Sequence, residues 1–268
     1  MNEKDIDWKT LEFTCTQEKK SWPKFDLEAD QWFQEANSLH KTGNEAFETR
    51  VLELMLKAAE RNHVKALNNL VIMYSQGDGV DADESKAVDY VERLIKMNIG
   101  SGYYHMGVFL EQGIGVKQDR PASLVYFRKA ADLGNMQGQQ VVGKKLLNDF
   151  RQTPFRDQMM PIGIKMLECS LAQGEAEAGA KLGYFYAEDN NDLSLQYFQK
   201  AAALGHSQSL YNLYSTFKDE DYGIEKDPIR AACYDRLWRE ADEDKTKRFP
   251  NIDKICPLPP KPMPTSQK

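Results

Sequence analysis

Residues 124–137 read LVYFRKAADLGNMQ, and residues 195–208 read LQYFQKAAALGHSQ. Nine of these fourteen positions are identical across an offset of 71 residues, close to twice a period of 36. Self-similarity at that spacing marks a stack of helical repeats, each unable to bury its apolar face alone. Both copies carry Tyr-Phe followed within four residues by Ala-Ala, a bulky ridge beside a small-residue groove, which suits interdigitating helices. Gly134 and Gly205 close them, and Gly174 closes the looser copy GIKMLECSLAQG (163–174). A left-handed residue is expected at these ends.

Working outward, each of these helices is preceded by another whose small residue is followed four and eight positions later by larger apolar ones. The sets are Ala66, Leu70, Tyr74; Gly102, Met106, Leu110; Gly138, Val142, Leu146; Ala178, Leu182, Tyr186; and Ser209, Leu213, Phe217. Spacing of four keeps each set on one helix face. Gly107, Gly143 and Gly183 follow the middle residue, and a glycine inside a helix implies a close packing neighbour. Asp83, Asp119, Asn190 and Asp227 recur four residues before Ala87, Ser123, Ser194 and Ala231, and are read as N-caps. Pro121 and Pro228 sit just inside two of those helices, where a missing N–H is harmless. Gly77-Asp78-Gly79-Val80 and Gly113-Ile114-Gly115-Val116 are read as turns at positive φ, with valine returning to the core. A degenerate pair is expected at 27–40 and 45–61, giving six pairs. Residues 148–162, with Pro154 and Pro161, are expected to form a longer connection. Three segments result: an N-terminal extension (1–26), the repeats (27–242) and a Pro-rich tail (243–268). The tail is expected to be extended and partly polyproline II. If it docks, its anchors would be Ile252, Ile255 and Leu258, with Cys233 near Cys256.

Hydrophobic content of 41% is ample for a core, and the net charge is −6. Lys and Arg are scattered, so no basic stripe exists to neutralise phosphates, which argues against nucleic acid as a partner. No apolar run reaches the length of a transmembrane helix. Cys15, Cys169, Cys233 and Cys256 are far apart and form no CxxC. Buried thiols are the ordinary reading; an oxidising compartment would allow pairs such as Cys15–Cys169 or Cys233–Cys256.

Nothing in the residues spells out catalysis. His63 and His206 fall in the inter-repeat turn position of Asn135, where capping is the expected role. His105 is read as facing off the core stripe. There is no HxxxH, no HExxH and no Gly-x-Ser-x-Gly elbow. The carboxylates at Glu175/Glu177 and at Asp219/Glu220/Asp221 read as caps or solvated charge. No catalytic residue, metal ligand or cofactor is expected, and the chain is not expected to be an enzyme.

The stretch HMGVFLEQGIGVKQDRPASLVYFRKAADLG (105–134) resembles the Sel-one-like repeat family, a relative of the tetratricopeptide repeats. The resemblance covers about residues 45–242 and departs in the third to fifth clear units, which lack Gly-x-Gly-Val. It implies an all-α, right-handed α-solenoid of about six helix-turn-helix repeats, a fold that usually binds proteins. FTC (13–15), LEAD (27–30) and NIDKICPLPPKPMP (251–264) are similar to a bacterial subfamily found beside type VI secretion effectors. That similarity implies an immunity protein that binds and occludes a cognate secreted effector of the phospholipase type. It also implies a periplasmic site, with the export segment absent from this sequence; a cytoplasmic site is the alternative. A general scaffold working through the same groove is the competing function. In solenoids the first helices line the concave side, so the partner is expected to meet Asn68, Ile72, Tyr104, Val108, Gln140, Lys144, Ala180, Tyr184, Tyr211 and Ser215. Tyrosine is enriched at interface hot spots.

Overall fold

The structure, a computed structural model, describes residues 11–24, 26–220, 223–261 and 263. Residues 1–10 and 25 of the expected extension, Asp221 of the acidic run, and 262 and 264–268 of the tail lie outside the described residues. Helices α1 (Leu27–His40) and α2 (Glu48–Glu60) form the degenerate first pair. They are followed by α3 (Val64–Gln76) with α4 (Glu84–Lys96), and α5 (Gly100–Gln112) with α6 (Arg120–Asp132). Then come α7 (Met136–Asp149) with α8 (Arg156–Ala172), α9 (Ala176–Tyr186) with α10 (Asn191–Ala203), and α11 (Ser207–Asp219) with α12 (Pro228–Glu243). A short α13 (Ile252–Ile255) closes the chain, and no strand occurs among the described residues. The chain is an all-α solenoid of helix hairpins that divides into two compact units, Thr14–Val142 and the part from Gly143 onward, with which residues 11–13 are grouped.

Local chemistry sets the helix ends. Asp83, Asp119, Asn190 and Asp227 each accept a hydrogen bond from the backbone N–H three residues on. Each such cap is worth about 0.5–2 kcal/mol. His63 and His206 cap α3 and α11 through Nδ1, and Asn135 Oδ1 accepts from Gly138 N at 2.8 Å. Gly134, Gly174 and Gly205 have φ of +88°, +103° and +80°, the left-handed ends the sequence implied. In the N-terminal unit the apolar stripes meet in one core around Leu54, Met55, Leu67, Leu70 and Leu94. Val80, Ile114 and Val116 return to that core from their loops. In the C-terminal unit, Leu167 and Leu182 pack in one cluster, and Phe198, Leu213, Phe217 and Tyr234 in another.

Four expectations are corrected. The connection at 148–162 is shorter, because α8 already runs from Arg156 with Pro161 inside it. Pro161 is exposed near the helix start, where it removes one backbone hydrogen bond, while Met159, Met160 and Gly163 bury themselves on the other face. In α7 the buried line is displaced by one residue: Gln139, Gly143 and Leu147 are buried, whereas Val142 and Leu146 are only half-buried. The tail docks instead of extending freely. Phe249, Ile252 and Cys256 are buried, Phe249 N donates to Ala203 O at 2.8 Å, and Tyr234 Oη donates to Cys256 O at 2.6 Å. Of its expected anchors, Ile252 is buried and Leu258 partly so, but Ile255 stays exposed. The cysteines are not thiols: Cys233 and Cys256 form a disulfide, and no described cysteine is free.

Part of the N-terminal extension is also pinned down. Helix α5 has no side-chain cap of its own at Ile99. The buried Glu18 supplies one from a distance, accepting from Ser101 N and from Asn135 Nδ2, both at 2.8 Å. Its own N–H donates to Gly134 O, and Gln139 Nε2 donates to Thr16 O.

Candidate partner-binding surface

The predicted line is best described unit by unit. In the N-terminal unit, Asn68 on α3 is tied inward. Its Nδ2 donates to Val64 O at 2.9 Å, and its Oδ1 receives His105 Nε2 at 3.1 Å. Thus His105 is part of a polar contact and not simply off the stripe; burial pushes its imidazole down to about 4. The Tyr104 ring lies against Phe127 (5.8 Å between centroids) and His105 (5.7 Å). Val108 packs partly against the core, and Gln140 is half-buried. Ile72, 39% exposed, is the outward member of the set. With Val51, Met55 and Met73 it lines a cavity of about 250 Å³, at which His40 and Asp78 face each other at 3.8 Å.

In the C-terminal unit the predicted residues lie on a more open face. Lys144 is exposed, Tyr184 and Tyr211 are 41% and 40% exposed, and Ser215 is half-buried. Ala180, expected to line the groove, is instead fully buried, because a methyl side chain fits against the neighbouring helix. Asn212 Nδ2 donates to Tyr184 Oη at 2.8 Å, linking α9 to α11. Tyr211 meets the edge of Trp238 at 5.1 Å, and Trp238 stacks on Tyr214 at 6.2 Å, which extends the face onto α12. Sequence reasoning missed Asn212, Tyr214 and Trp238. The spacing argument follows the first helices alone, and only the register of Tyr211–Tyr214 on one face of α11 points beyond it.

The arrangement suits adhesion rather than chemistry. The two histidine–carboxylate pairs, His63–Asp30 (3.2 Å) and His206–Glu177 (2.9 Å), join neighbouring repeats. In each the histidine's Nδ1 caps a helix while Nε2 meets the carboxylate, so both ring nitrogens are engaged in joining the repeats. The hydrogen bond from His206, with a second from Lys181, holds the Glu177 carboxyl down at about 2. Among the described residues, no group of three or more His, Cys, Asp or Glu side chains is placed to hold a metal. Nor is any helix among them long and apolar enough to cross a membrane.

The Sel1 repeat is matched at residues 64–98, 100–135 and 176–206. No curated sequence matches the chain. Among solved structures, the immunity protein Pa5087 from Pseudomonas aeruginosa is 31% identical with a TM-score of 0.71, covering 94% of this chain and 96% of its own. PA5086 of the same organism is 30% identical with a TM-score of 0.71, over 93% and 96%. The P. aeruginosa immunity protein PA5088 is 29% identical with a TM-score of 0.76, over 93% and 95%. The chain therefore belongs to the family of Sel1-repeat proteins that includes the Pseudomonas immunity protein Pa5087.

Proposed function

We propose that this chain is a non-catalytic immunity protein that binds and sterically occludes a cognate secreted effector. The observation that carries the reading is the 31% identity to an immunity protein over nearly the whole of both chains. A repeat scaffold presenting tyrosine, tryptophan and amide groups supports it, since such residues concentrate binding energy. In its finer form, the effector is a phospholipase-type toxin of a type VI secretion system, met in the periplasm. The oxidised state of the described cysteines supports an oxidising compartment of that kind. An inhibitor of a toxin that turns over repeatedly must bind tightly, so a nanomolar one-to-one complex is expected, about −12 kcal/mol. The test is co-expression in a susceptible bacterium of the chain, exported or retained in the cytoplasm, with the phospholipase-type effector encoded beside it. Survival with the exported form and co-purification of the pair are expected. No protection from either form would overturn the reading, and protection by the retained form alone would overturn the periplasmic part of it.

A further inference from the structure

The face of the C-terminal unit carries a charge pattern as well as aromatic rings. Lys144, Arg151 and Lys181 converge on one small cavity of about 120 Å³, whose other walls include Leu147, Phe185 and Tyr184. Lys181 pairs with Glu177 at 2.7 Å and Arg151 with Glu188 at 2.7 Å. Glu177 is already engaged on its other oxygen by His206. That leaves Lys144, exposed, with no carboxylate partner among the described residues. Further along the face, Lys218 lies over the Tyr214 ring at 5.1 Å and Arg239 over Trp238 at 5.8 Å, while Lys181 lies over Tyr184 at 5.8 Å. Arg239 is paired with Asp235 at 3.0 Å, and cations lie over rings in the N-terminal unit as well, so the charge that sets this face apart is that of Lys144 at the cavity.

Such a face favours one kind of partner. Carboxylates are drawn to the lysines, apolar side chains flanking them cover the rings, and a basic segment is repelled from the cavity. We infer that this face docks an acidic, apolar-flanked polypeptide segment of the effector, one carboxylate of which enters the cavity between Lys144, Arg151 and Lys181. The inference rests on the reading of the chain as an effector-binding protein and adds the chemistry of the segment it captures.

The test uses the full chain and two fluorescent dodecapeptides, one repeating Asp-Glu-Leu and the other Lys-Arg-Leu, followed by anisotropy. At about 50 mM salt the acidic peptide is expected to bind at least about tenfold more tightly than the basic one, and to weaken at about 300 mM. Lys144→Glu and Lys181→Gln are each expected to cost about tenfold in affinity for it, while Lys117→Glu, on the N-terminal unit, leaves it unchanged. Lys144 is exposed and makes no ion pair among the described residues, so its reversal is expected to leave the fold intact, as circular dichroism would verify. Equal binding of both peptides, full affinity in both variants, or binding of phosphatidylglycerol vesicles in place of the acidic peptide would overturn the assignment. These outcomes stand apart from the fate of the immunity reading, which falls only if the unaltered chain fails to protect cells.

Discussion

At the residue scale, His105 donates from Nε2 to Asn68, and burial holds its imidazole down at about 4. His63 is also lowered, chiefly by burial, with Asp30 opposing and Lys65 adding to the shift. Both folded values lie below that of a free imidazole, about 6.5, so the unfolded chain binds more protons in mild acid. The stability His105 contributes is therefore fully present above about pH 6.5 and is lost as pH falls toward about 4, and His63 adds to the loss in the same direction. Glu177 extends the loss, since a carboxyl held at about 2 gives stability that disappears as pH drops below its ordinary 4.5. Thermal midpoints measured from pH 7 downward should fall accordingly, and His105→Gln should make the descent shallower; an unchanged slope in that variant would remove His105 from the account. Glu18 gives a test that does not depend on pH. Replacing it with alanine strands Ser101 N and the buried Asn135 side chain. The expected cost is about 1–3 kcal/mol, read as a lower urea midpoint with an unchanged slope.

At the element scale, Gly107 and Gly183 occupy the same place in two repeats and have the same neighbour. A Cβ on Gly107 would stand 2.7 Å from the Phe127 ring, and one on Gly183 would stand 2.6 Å from the Phe198 ring. Neither ring has room to yield, as both are buried and Phe198 meets Tyr184 edge-on at 5.0 Å. Gly183→Ala should therefore destabilise by about 1–3 kcal/mol through overpacking, although alanine is the better helix former by about 1 kcal/mol. A stabilised variant in denaturant titration would show that the helices separate more easily than this packing implies. The glycines were legible in the sequence because they recur with the period, and so were the caps, because capping is settled within three residues of the cap itself. What escaped was decided at longer range. Pro161 looks like a breaker until Met159, Met160 and Gly163 are seen to bury α8 around it. The one-residue displacement along α7 follows from Gly143 lying against Gly163, where a Cβ would meet that backbone oxygen at 2.9 Å. Of the expected partner-binding line, spacing alone marked Tyr184 and Tyr211 as outward, and both are exposed, whereas Trp238 belongs to a second helix and meets Tyr211 only through packing.

At the scale of the whole molecule, a repeat array is open-ended, and each end presents an apolar face that the next repeat would have covered. At its C-terminal end this chain covers that face with a segment that does not repeat, the tail, which lies against α10 and α12; residues 16–18 lie inside the array, against the start of α5 and α7. The tail is secured by Arg230, whose Nε donates to Pro257 O at 2.9 Å, and by Gln199, whose Nε2 donates to Cys256 O at 2.9 Å. The Cys233–Cys256 disulfide makes the attachment covalent. The bridge closes a loop with a sequence separation of 23, and the chain-entropy relation gives such a loop about 3 kcal/mol. A Cys233→Ser/Cys256→Ser double variant should lose about that much stability in the C-terminal unit. Because the docked tail buries Phe249, Ile252 and residue 256 against the last helices, the loss should be local. Hydrogen exchange should quicken in α12 and α13 and stay unchanged in α3 to α6. Equal protection in α12 with and without the bridge would mean that the hydrogen bonds of Arg230, Gln199 and Tyr234 hold the tail by themselves. The covalent link would then matter only to the unfolded chain.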